Sequence, residues 1–290
     1  MTAIVLPILC AVFVWWFGTG AVLYADGLPP AAKRWAMGGA FLMAAGALYA
    51  LDAIAGEATT AGAYVGFIAA IVLWGWNELL FLSGLVTGPN KAACPPGAGP
   101  WARFRLAAAA LAYHEVALVA TGAAIAWLTW GTANQVGLCT FALLFVMRLS
   151  AKLNIFFGVP NMSEELLPSS VAHLKSYFGP RRRNGFFPAS VAAVTVLVGW
   201  LVWRALDPTL AAGSHTGTSL LAALAVLGLL EHWLLVLPLP DAALWRWAMP
   251  GARPSIDGPD PLAREGASGG GNTLNRAAGA TTPTGNGRLR

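Results

Sequence analysis

The sequence predicts an all-α membrane protein, a polytopic bundle of about seven transmembrane helices. The chain of 290 residues is 57% hydrophobic and only 11% charged, whereas soluble domains carry roughly a quarter charged residues. Its mean hydropathy is +0.62. Apolar runs of about 20 residues, the length that crosses the hydrocarbon core of a bilayer, recur along most of the chain. In lipid such runs must be helical, because every backbone amide needs an internal partner.

Seven apolar runs are long enough to span a bilayer. The first run has no basic residues ahead of it and exceeds the apolar core of a signal peptide, so we expect it to be retained as a helix. The predicted spans lie near residues 3–24, 35–55, 62–87, 105–130, 134–157, 187–206 and 217–239.

Basic residues distinguish the two sides of the predicted bundle. The first, third and fifth connections carry Lys or Arg, as does the chain after the last span. The second, fourth and sixth connections, around Glu57, Thr132 and Ser214, carry none. By the positive-inside rule the N-terminus faces out and the C-terminus is cytoplasmic. Because the basic residues lie between apolar runs and in the tail, the net charge of +5 does not indicate a nucleic-acid partner.

Residues 1–249 form a single predicted transmembrane domain. Two segments outside the spans are expected to lie at the cytoplasmic membrane surface: SEELLPSSVAHLKSYF as a short amphipathic helix, and PLPDAALWRWAM after the last span. Residues 250–290 are rich in Gly, Pro, Ala, Thr and Arg. That composition cannot bury a core, so we predict a disordered cytoplasmic tail.

Ionisable residues inside the apolar runs are the candidate functional site, since a charge at bilayer depth costs several kcal/mol. Arg148 and Lys152 are four residues apart in the fifth span and therefore share one helix face. Four predicted spans place polar residues in their cytoplasmic halves. The predicted layer consists of Glu78, His114, Glu115, Arg148, Lys152, Asn154, Glu231 and His232.

Two interpretations of this layer are open: a buried ion-pair network that fixes helix packing, or a polar pocket for a ligand, an ion or a proton path. A metal site is disfavoured, because neighbours such as His114 and Glu115 point about 100° apart on a helix and the two cations oppose a metal. His114 or His232 could ligate the magnesium of a chlorophyll, although an interhelical hydrogen bond is the commoner role.

The three cysteines have no zinc or disulfide spacing, and the sequence has no common catalytic motif.

Six strings of the sequence carry a resemblance to a known family. They are WGWNELLFLSGLVTGP (74–89), AYHEVALVATG (112–122), TWGTANQVG (129–137), VMRLSAKLNIFFGVPNMSEELLP (146–168), HLKSYF (173–178) and LEHWLLVLPLPDAALWRWAM (230–249). These strings resemble the PuhE family, photosynthetic-complex assembly membrane proteins encoded beside the reaction-centre genes of purple bacteria. The resemblance covers about residues 1–249 and excludes the tail.

The resemblance implies a multi-pass protein of the bacterial inner membrane, either cytoplasmic or intracytoplasmic photosynthetic membrane. It implies a role in assembly of the reaction centre and light-harvesting complex, with bacteriochlorophyll or a precursor as the candidate ligand. The implied partners are membrane lipid, photosynthetic-complex subunits and pigment-biosynthesis proteins. Because the family supplies no established catalytic residue, we expect a non-enzymatic factor. A membrane enzyme that acts on a tetrapyrrole or isoprenoid through the buried Glu and His residues, and a transporter of a pigment precursor, are the alternatives.

Overall fold

The computed structural model describes residues 2–161, 166–180, 182 and 184–249. Within them the chain forms seven α-helices, two short 3₁₀ segments and no strand. Each α-helix is long and apolar enough to cross a membrane, which confirms the predicted all-α bundle. The helices are α1 (Thr2–Asp26), α2 (Pro30–Ala53), α3 (Thr60–Leu82), α4 (Pro100–Thr129), α5 (Val136–Phe157), α6 (Phe186–Ala205) and α7 (Ala212–Leu234).

Helix α3 ends at Leu82, several residues before the predicted end at residue 87. The cause is a turn at Gly84, whose φ of 74° is accessible to glycine and strained for other residues. The backbone amides of Leu85 and Val86 both donate hydrogen bonds to the carbonyl of Leu80, so the chain reverses here. The apolar character of these two residues extends the hydropathy signal beyond the helix.

Helices α4 and α7 also begin earlier than predicted. Pro100 opens α4, where the missing N–H of proline costs nothing because the first turn has no partner for it. Helix α7 begins at Ala212 and ends at Leu234. Its first turns contain small polar residues that hydropathy alone excludes from a span. Among them is a glycine, Gly213, which lies directly against the backbone of Ala58 and Thr59, so close packing explains the place of this turn in the helix.

Helices α3 and α7 form the centre of the bundle. Half of the most apolar part of each is buried, against 17–22% for the other five helices. Close approach at small residues holds α5 against this centre, since Gly228 of α7 contacts Met147 of α5. In a bilayer, small residues promote helix association by allowing close van der Waals contact. Helix α5 is thereby fixed between α3 and α7.

Hydrogen bonds among the connections define one end of the bundle, here called the basic end. Asp26 accepts from Lys33 at 2.6 Å and from Ser83 at 3.2 Å, which joins the first and third connections. The amide of Cys94 donates to the hydroxyl of Ser176 at 2.8 Å, which joins the third and fifth. The basic connections therefore share one end, as the alternation of charge predicts. The positive-inside rule assigns this end to the cytoplasm.

The second, fourth and sixth connections lie at the opposite end. The amide of Asn134 donates to the carbonyl of Ala55 at 2.9 Å, which joins the second and fourth connections. Arg204 also lies here, in the last turn of α6, and pairs with Asp207 at 3.0 Å. Because that cation is matched by a carboxylate, it adds no net positive charge to this end.

The first 3₁₀ segment, Ser169–Tyr177, closes the basic end of the bundle. The sequence predicts a surface helix here. Instead, the segment buries Val171 and Leu174 against Phe81 at the end of α3 and Ala110 of α4. It is therefore packed against the bundle and shields the region where α3 and α4 meet.

The second 3₁₀ segment, Asp241–Ala248, docks on α1. The indole of Trp16 donates to the carbonyl of Leu244, and the indole of Trp245 donates to the carbonyl of Trp16, both at 3.0 Å. Trp16 lies ten residues before the end of α1, about 15 Å along the axis. The segment therefore packs against α1, a contact that the sequence does not predict, and its place at the membrane surface stays a prediction. The predicted disordered tail, 250–290, lies outside the described residues.

Candidate functional site

Helix α5 carries polar side chains on two opposite faces toward its C-terminal end. Arg148 and Lys152 are four residues apart and share one face. Ser150 and Asn154 are displaced from them by two positions, a rotation of about 200°. We call Arg148 and Lys152 with their partners the charged face, and Ser150 and Asn154 with their partners the neutral face.

Each cation of the charged face pairs with a carboxylate from a different helix. Arg148 Nη2 lies 3.1 Å from Glu78 Oε2 of α3, and Lys152 Nζ lies 2.6 Å from Glu115 Oε1 of α4. The Lys152 ammonium also lies 5.9 Å from the centroid of the Phe81 ring, within cation–π range. The structure thus brings four of the predicted residues together and links α5 to both α3 and α4.

A third carboxylate, Glu231 of α7, accepts a hydrogen bond of 2.8 Å from the indole of Trp15 in α1. It also acts electrostatically on Arg148, as do Glu78 and Glu115. Three carboxylates therefore act on the two cations of the charged face. This contact extends the predicted layer to α1, so that five helices contribute to it.

Two residues of the layer, Glu78 and Glu231, lie nearer to the helix ends than the sequence predicts. Glu78 precedes the end of α3 by four residues, Lys152 precedes the end of α5 by five, and Glu231 precedes the end of α7 by three. At 1.5 Å per residue these distances are about 5–8 Å. Arg148, nine residues from the end of α5, lies deeper, at about 14 Å. Glu78, Lys152 and Glu231 are therefore close to the basic end, where long side chains reach polar surroundings, whereas Glu115 lies fifteen residues from the start of α4.

Arg148 and Glu78 differ in exposure. The Arg148 side chain is 43% exposed on the outside of the bundle, whereas the Glu78 side chain is 12% exposed. The second carboxylate oxygen of Glu78, Oε1, is buried without a hydrogen-bond partner. The pair therefore leaves the Arg148 side chain accessible from outside and one oxygen of Glu78 buried and unpaired.

His114 is fully enclosed, with 0% of the residue exposed, and neither ring nitrogen has a hydrogen-bond partner. Its ring lies against Phe81, with the centroids 4.5 Å apart. Its backbone amide donates to the carbonyl of Thr87 at 2.9 Å, and the Thr87 hydroxyl is also buried without a partner. The free nitrogens suit proton exchange or ligation. Because the residue is fully enclosed, a chlorophyll macrocycle reaches these nitrogens only if the surrounding packing opens.

His232 belongs to the neutral face, and both of its ring nitrogens have partners. Nδ1 lies 2.7 Å from the carbonyl of Gly228, and Nε2 lies 2.8 Å from the hydroxyl of Ser150. The structure therefore gives His232 the interhelical hydrogen bond that the sequence analysis favours. His114 and His232 lie on opposite sides of α5, so they do not converge on one ligand.

Asn154 is the other predicted residue on the neutral face. It is fully buried, and its side-chain amide donates to Ser190 of α6 at 2.9 Å and to the carbonyl of Ser150 at 3.0 Å. The side-chain NH₂ group of Asn184, which precedes α6, donates to the carbonyl of Gly158 at 2.6 Å, just after the end of α5. These bonds join α5 to α6 and use the polar groups of the face in packing.

Sequence reasoning missed the uncharged partners. The Asn77 amide donates to the Thr121 hydroxyl at 3.1 Å, which joins α3 to α4 next to Glu78. Serine and threonine often bond to their own helix backbone, so their presence in a span is a weak signal. The available signal is position: Asn77 adjoins Glu78, and Ser150 lies between the two cations. The missed residues are Trp15, Asn77, Thr121, Ser150, Asn184 and Ser190.

No group of three or more His, Cys, Asp or Glu residues could hold a metal ion within the described part of the chain. The charged face can instead bind acceptor groups through the exposed guanidinium of Arg148. Its inner side, around His114 and the free oxygen of Glu78, can exchange protons. These are the two chemical capacities of the site.

The sequence matches a known protein family and a known relative. A family model described as "Protein of unknown function (DUF3623)" matches residues 1–255, which include all seven helices and both faces of α5. A Rhodobacter capsulatus protein named "Uncharacterized 30.4 kDa protein in puhA 5'region" is 43% identical over 246 residues, which are 83% of this chain and 89% of that protein. No solved structure matches the chain.

Proposed function

Because the chain belongs to the family described as protein of unknown function (DUF3623), we propose from the name of its Rhodobacter capsulatus relative that it serves photosynthesis. That name places the relative in the 5' region of puhA, a gene of the photosynthetic reaction centre. The finer proposal is a non-enzymatic assembly factor of the PuhE kind. It acts on the reaction centre and light-harvesting complex from within the photosynthetic inner membrane.

The single observation that carries the proposal is the exposure of Arg148 inside an apolar helix. Its side chain is 43% exposed, although it pairs with Glu78. A cation that faces hydrocarbon costs several kcal/mol unless a partner covers it. A transmembrane subunit undergoing assembly, or the carbonyl groups of bacteriochlorophyll, offers acceptors at that position. We therefore assign Arg148 as the docking residue of the charged face.

The other residues of the charged face position Arg148. Glu78 holds the guanidinium from one side at 3.1 Å, and Glu231 adds a second carboxylate within electrostatic range. Lys152 and Glu115 tie α4 to α5 at 2.6 Å. This arrangement keeps the guanidinium at one place on the bundle surface, which lowers the entropic cost of binding a partner.

The test removes the positive charge of Arg148 and keeps a long side chain at that position. In a strain that lacks the gene, we expect R148Q to insert into the membrane at the wild-type level and to lower reaction-centre and light-harvesting absorption several-fold. R204Q is the matched control, because Arg204 also lies in a transmembrane helix and pairs with Asp207, but at the opposite end. Near-infrared absorption of membranes, divided by the immunoblot signal of the protein, is the measurement.

Two outcomes contradict the proposal. If R148Q and R204Q support equal absorption, Arg148 is not the docking residue. If R148Q protein disappears from the membrane in proportion to the absorption, the charged face serves packing alone.

A second candidate function, a membrane enzyme that acts on a tetrapyrrole or isoprenoid, is favoured by one observation. His114 keeps both ring nitrogens unpartnered and interacts electrostatically with Glu78, which has an unpartnered oxygen. Such a pair suits general acid–base catalysis. If this function is correct, H114Q cells accumulate a pigment precursor that chromatography of extracts detects. An assembly factor instead leaves pigment synthesis intact and loses only the complexes.

A further inference from the structure

A groove of about 570 Å³, here called the α5–α6 groove, lies at the basic end of the bundle. It is lined by Phe157, the last residue of α5, by Arg182, and by residues 184–186 at the start of α6. Sites for small molecules commonly enclose about 300–1,000 Å³. Because both helices are long and apolar enough to cross a membrane, their ends place the groove where hydrocarbon meets water on the cytoplasmic side.

Aromatic side chains supply the apolar part of this groove and continue beyond it along the same end. The rings of Phe157 and Phe186 lie 5.8 Å apart between centroids, and Phe157 is 46% exposed. Successive rings of the row are 5.5–5.8 Å apart, and the row consists of Trp101, Phe104, Phe156, Phe157 and Phe186. Exposed aromatic side chains at the membrane interface insert between headgroups and acyl chains. The row therefore provides a surface for lipid.

Arg182 gives the groove a positive charge. It is exposed, and none of the ion pairs among the described residues includes it. Arg181 and Arg183 flank it in the sequence and lie outside the described residues. The sequence has no Asp or Glu between Glu165 and Asp207, so the groove has no carboxylate in its lining. Its charge is therefore available to an anion.

Asn184 holds the two helix ends together beside the groove. Its side-chain NH₂ group donates to the carbonyl of Gly158 at 2.6 Å, and its Oδ1 accepts from the backbone amide of Phe187 at 2.8 Å. Because these bonds use both ends of the Asn184 amide in packing, Arg182 is the binding group. Gly185 also lines the groove, and a Cβ added to it meets no atom within 4 Å.

We propose that the α5–α6 groove binds the phosphate group of an anionic phospholipid. A guanidinium matches phosphate oxygens with two parallel hydrogen bonds, and basic pockets between spans on the cytoplasmic side bind anionic headgroups. Arg182 supplies the donors, and Phe157 and Phe186 contact the apolar part of the lipid. The aromatic surface favours a lipid over a soluble anion, which has no apolar part. This site is independent of the photosynthetic proposal.

The experiment uses the full-length protein purified in detergent. Native mass spectrometry counts adducts of phosphatidylglycerol and of phosphatidylcholine with the same acyl chains. We expect phosphatidylglycerol to bind several-fold more tightly, and R182Q to weaken its binding about fivefold. R34Q, the matched control, removes an exposed arginine of the same end that does not line the groove, and its affinity should stay within about twofold of wild type.

A second pair of variants obstructs the groove and keeps its charge. G185L adds a side chain at the groove and should weaken phosphatidylglycerol binding several-fold. G99L, its control, adds the same side chain at the start of α4, where a Cβ also meets no atom within 4 Å and the groove is not lined. Both glycines have a negative φ, −73° and −62°, so leucine introduces no backbone strain.

Equal binding of the two lipids, or equal affinities of R182Q and R34Q, overturns the proposal. Wild-type affinity of G185L also overturns it, because the charge would then act without the groove. Inorganic phosphate is the competitor: if it displaces the lipid at an equal concentration, the occupant is a soluble anion and the proposal is wrong. If G185L fails to fold, R182Q decides the question, because the side chain that it changes is exposed.

Discussion

The two faces of α5 satisfy their polar groups differently. On the neutral face, Asn154 and His232 have hydrogen-bond partners on neighbouring helices. On the charged face, Arg148 is open to the outside, and Glu78 and His114 retain unpartnered atoms. Buried polar groups are normally paired, and departures from that rule are expected at functional sites. The comparison shows that the neutral face is used in packing, and it supports the proposal that the charged face serves binding or chemistry.

The largest expected effect is the loss of the Arg148 cation. R148M leaves the carboxylate of Glu78, which is 12% exposed, without its counter-ion. Breaking a buried pair costs about 3–5 kcal/mol, and we expect about 2–3 kcal/mol because Arg148 is partly exposed. E78Q should cost less, about 1 kcal/mol, since the freed guanidinium can reach polar surroundings. Thermal unfolding in detergent measures both.

A double variant tests whether R148M costs more stability than E78Q because it leaves the Glu78 charge buried. E78Q/R148M removes both charges, so it should recover much of the stability that R148M loses. Equal destabilisation by the two single variants would show that the pair is not organised around the burial of Glu78.

A smaller effect is expected on the neutral face. N154A removes the hydrogen bond to Ser190 and leaves a small cavity, for a cost of about 1–2 kcal/mol. Because this face serves packing, complex assembly per folded molecule should stay at the wild-type level. S190A keeps the Asn154 bond to the Ser150 carbonyl and should cost less. Reduced assembly by stable, abundant N154A protein would remove the distinction between the faces.

His114 should give a change of opposite sign. H114L replaces a buried ring that has no hydrogen-bond partner with an apolar side chain of similar size, so we expect a gain of about 1 kcal/mol. H232L, the matched control, breaks two hydrogen bonds and should destabilise. If the charged face is functional, H114L lowers photosynthetic absorption despite its higher unfolding temperature. A destabilised H114L protein would indicate that His114 has a packing role.

Hydropathy and charge identify the helices and the charged residues, because an ionisable side chain in an apolar run is conspicuous. They do not identify the pairs. Arg148 has three carboxylates within electrostatic range, and its hydrogen bond with Glu78 depends on which helices are neighbours. Serine carries no such signal, so Ser150 and Ser190 could be recognised only from the distances in the structure.

The helix ends and the docked C-terminal segment show a related limit. The end of α3 depends on one positive φ angle at Gly84, which the apolar residues that follow conceal. The segment Asp241–Ala248 has the composition of a surface helix, but its Trp245 donates to the carbonyl of Trp16 in α1, and Trp16 donates to the carbonyl of Leu244. That contact joins positions more than 200 residues apart in sequence, and local patterns contain no information about it.

The smallest expected effect concerns the pair at the opposite end, Arg204 and Asp207, which lies outside the charged face. Here the carboxylate side chain is 26% exposed, about twice as much as that of Glu78, and its main partner is not the cation. The Thr209 hydroxyl, followed by the Thr209 amide and then Arg204, holds the pKa of Asp207 below its ordinary value. A lowered carboxyl pKa stabilises the fold above the unfolded pKa, about 3.9. That contribution is lost as the pH falls through the folded pKa.

R204Q should therefore leave the unfolding temperature unchanged at neutral pH, in contrast to R148M. T209V removes the first of the hydrogen bonds to Asp207, at 2.6 Å, and should raise the Asp207 pKa more than R204Q does. Carboxyl ¹³C shifts of labelled aspartate, followed from pH 2 to 6, measure both pKa values. Because Arg204 and Arg148 have comparably exposed side chains, 37% and 43%, equal destabilisation by their replacement would show that carboxylate burial does not set the difference. If R148M lowers the unfolding temperature strongly and R204Q does not, the difference is due to the buried carboxylate of Glu78.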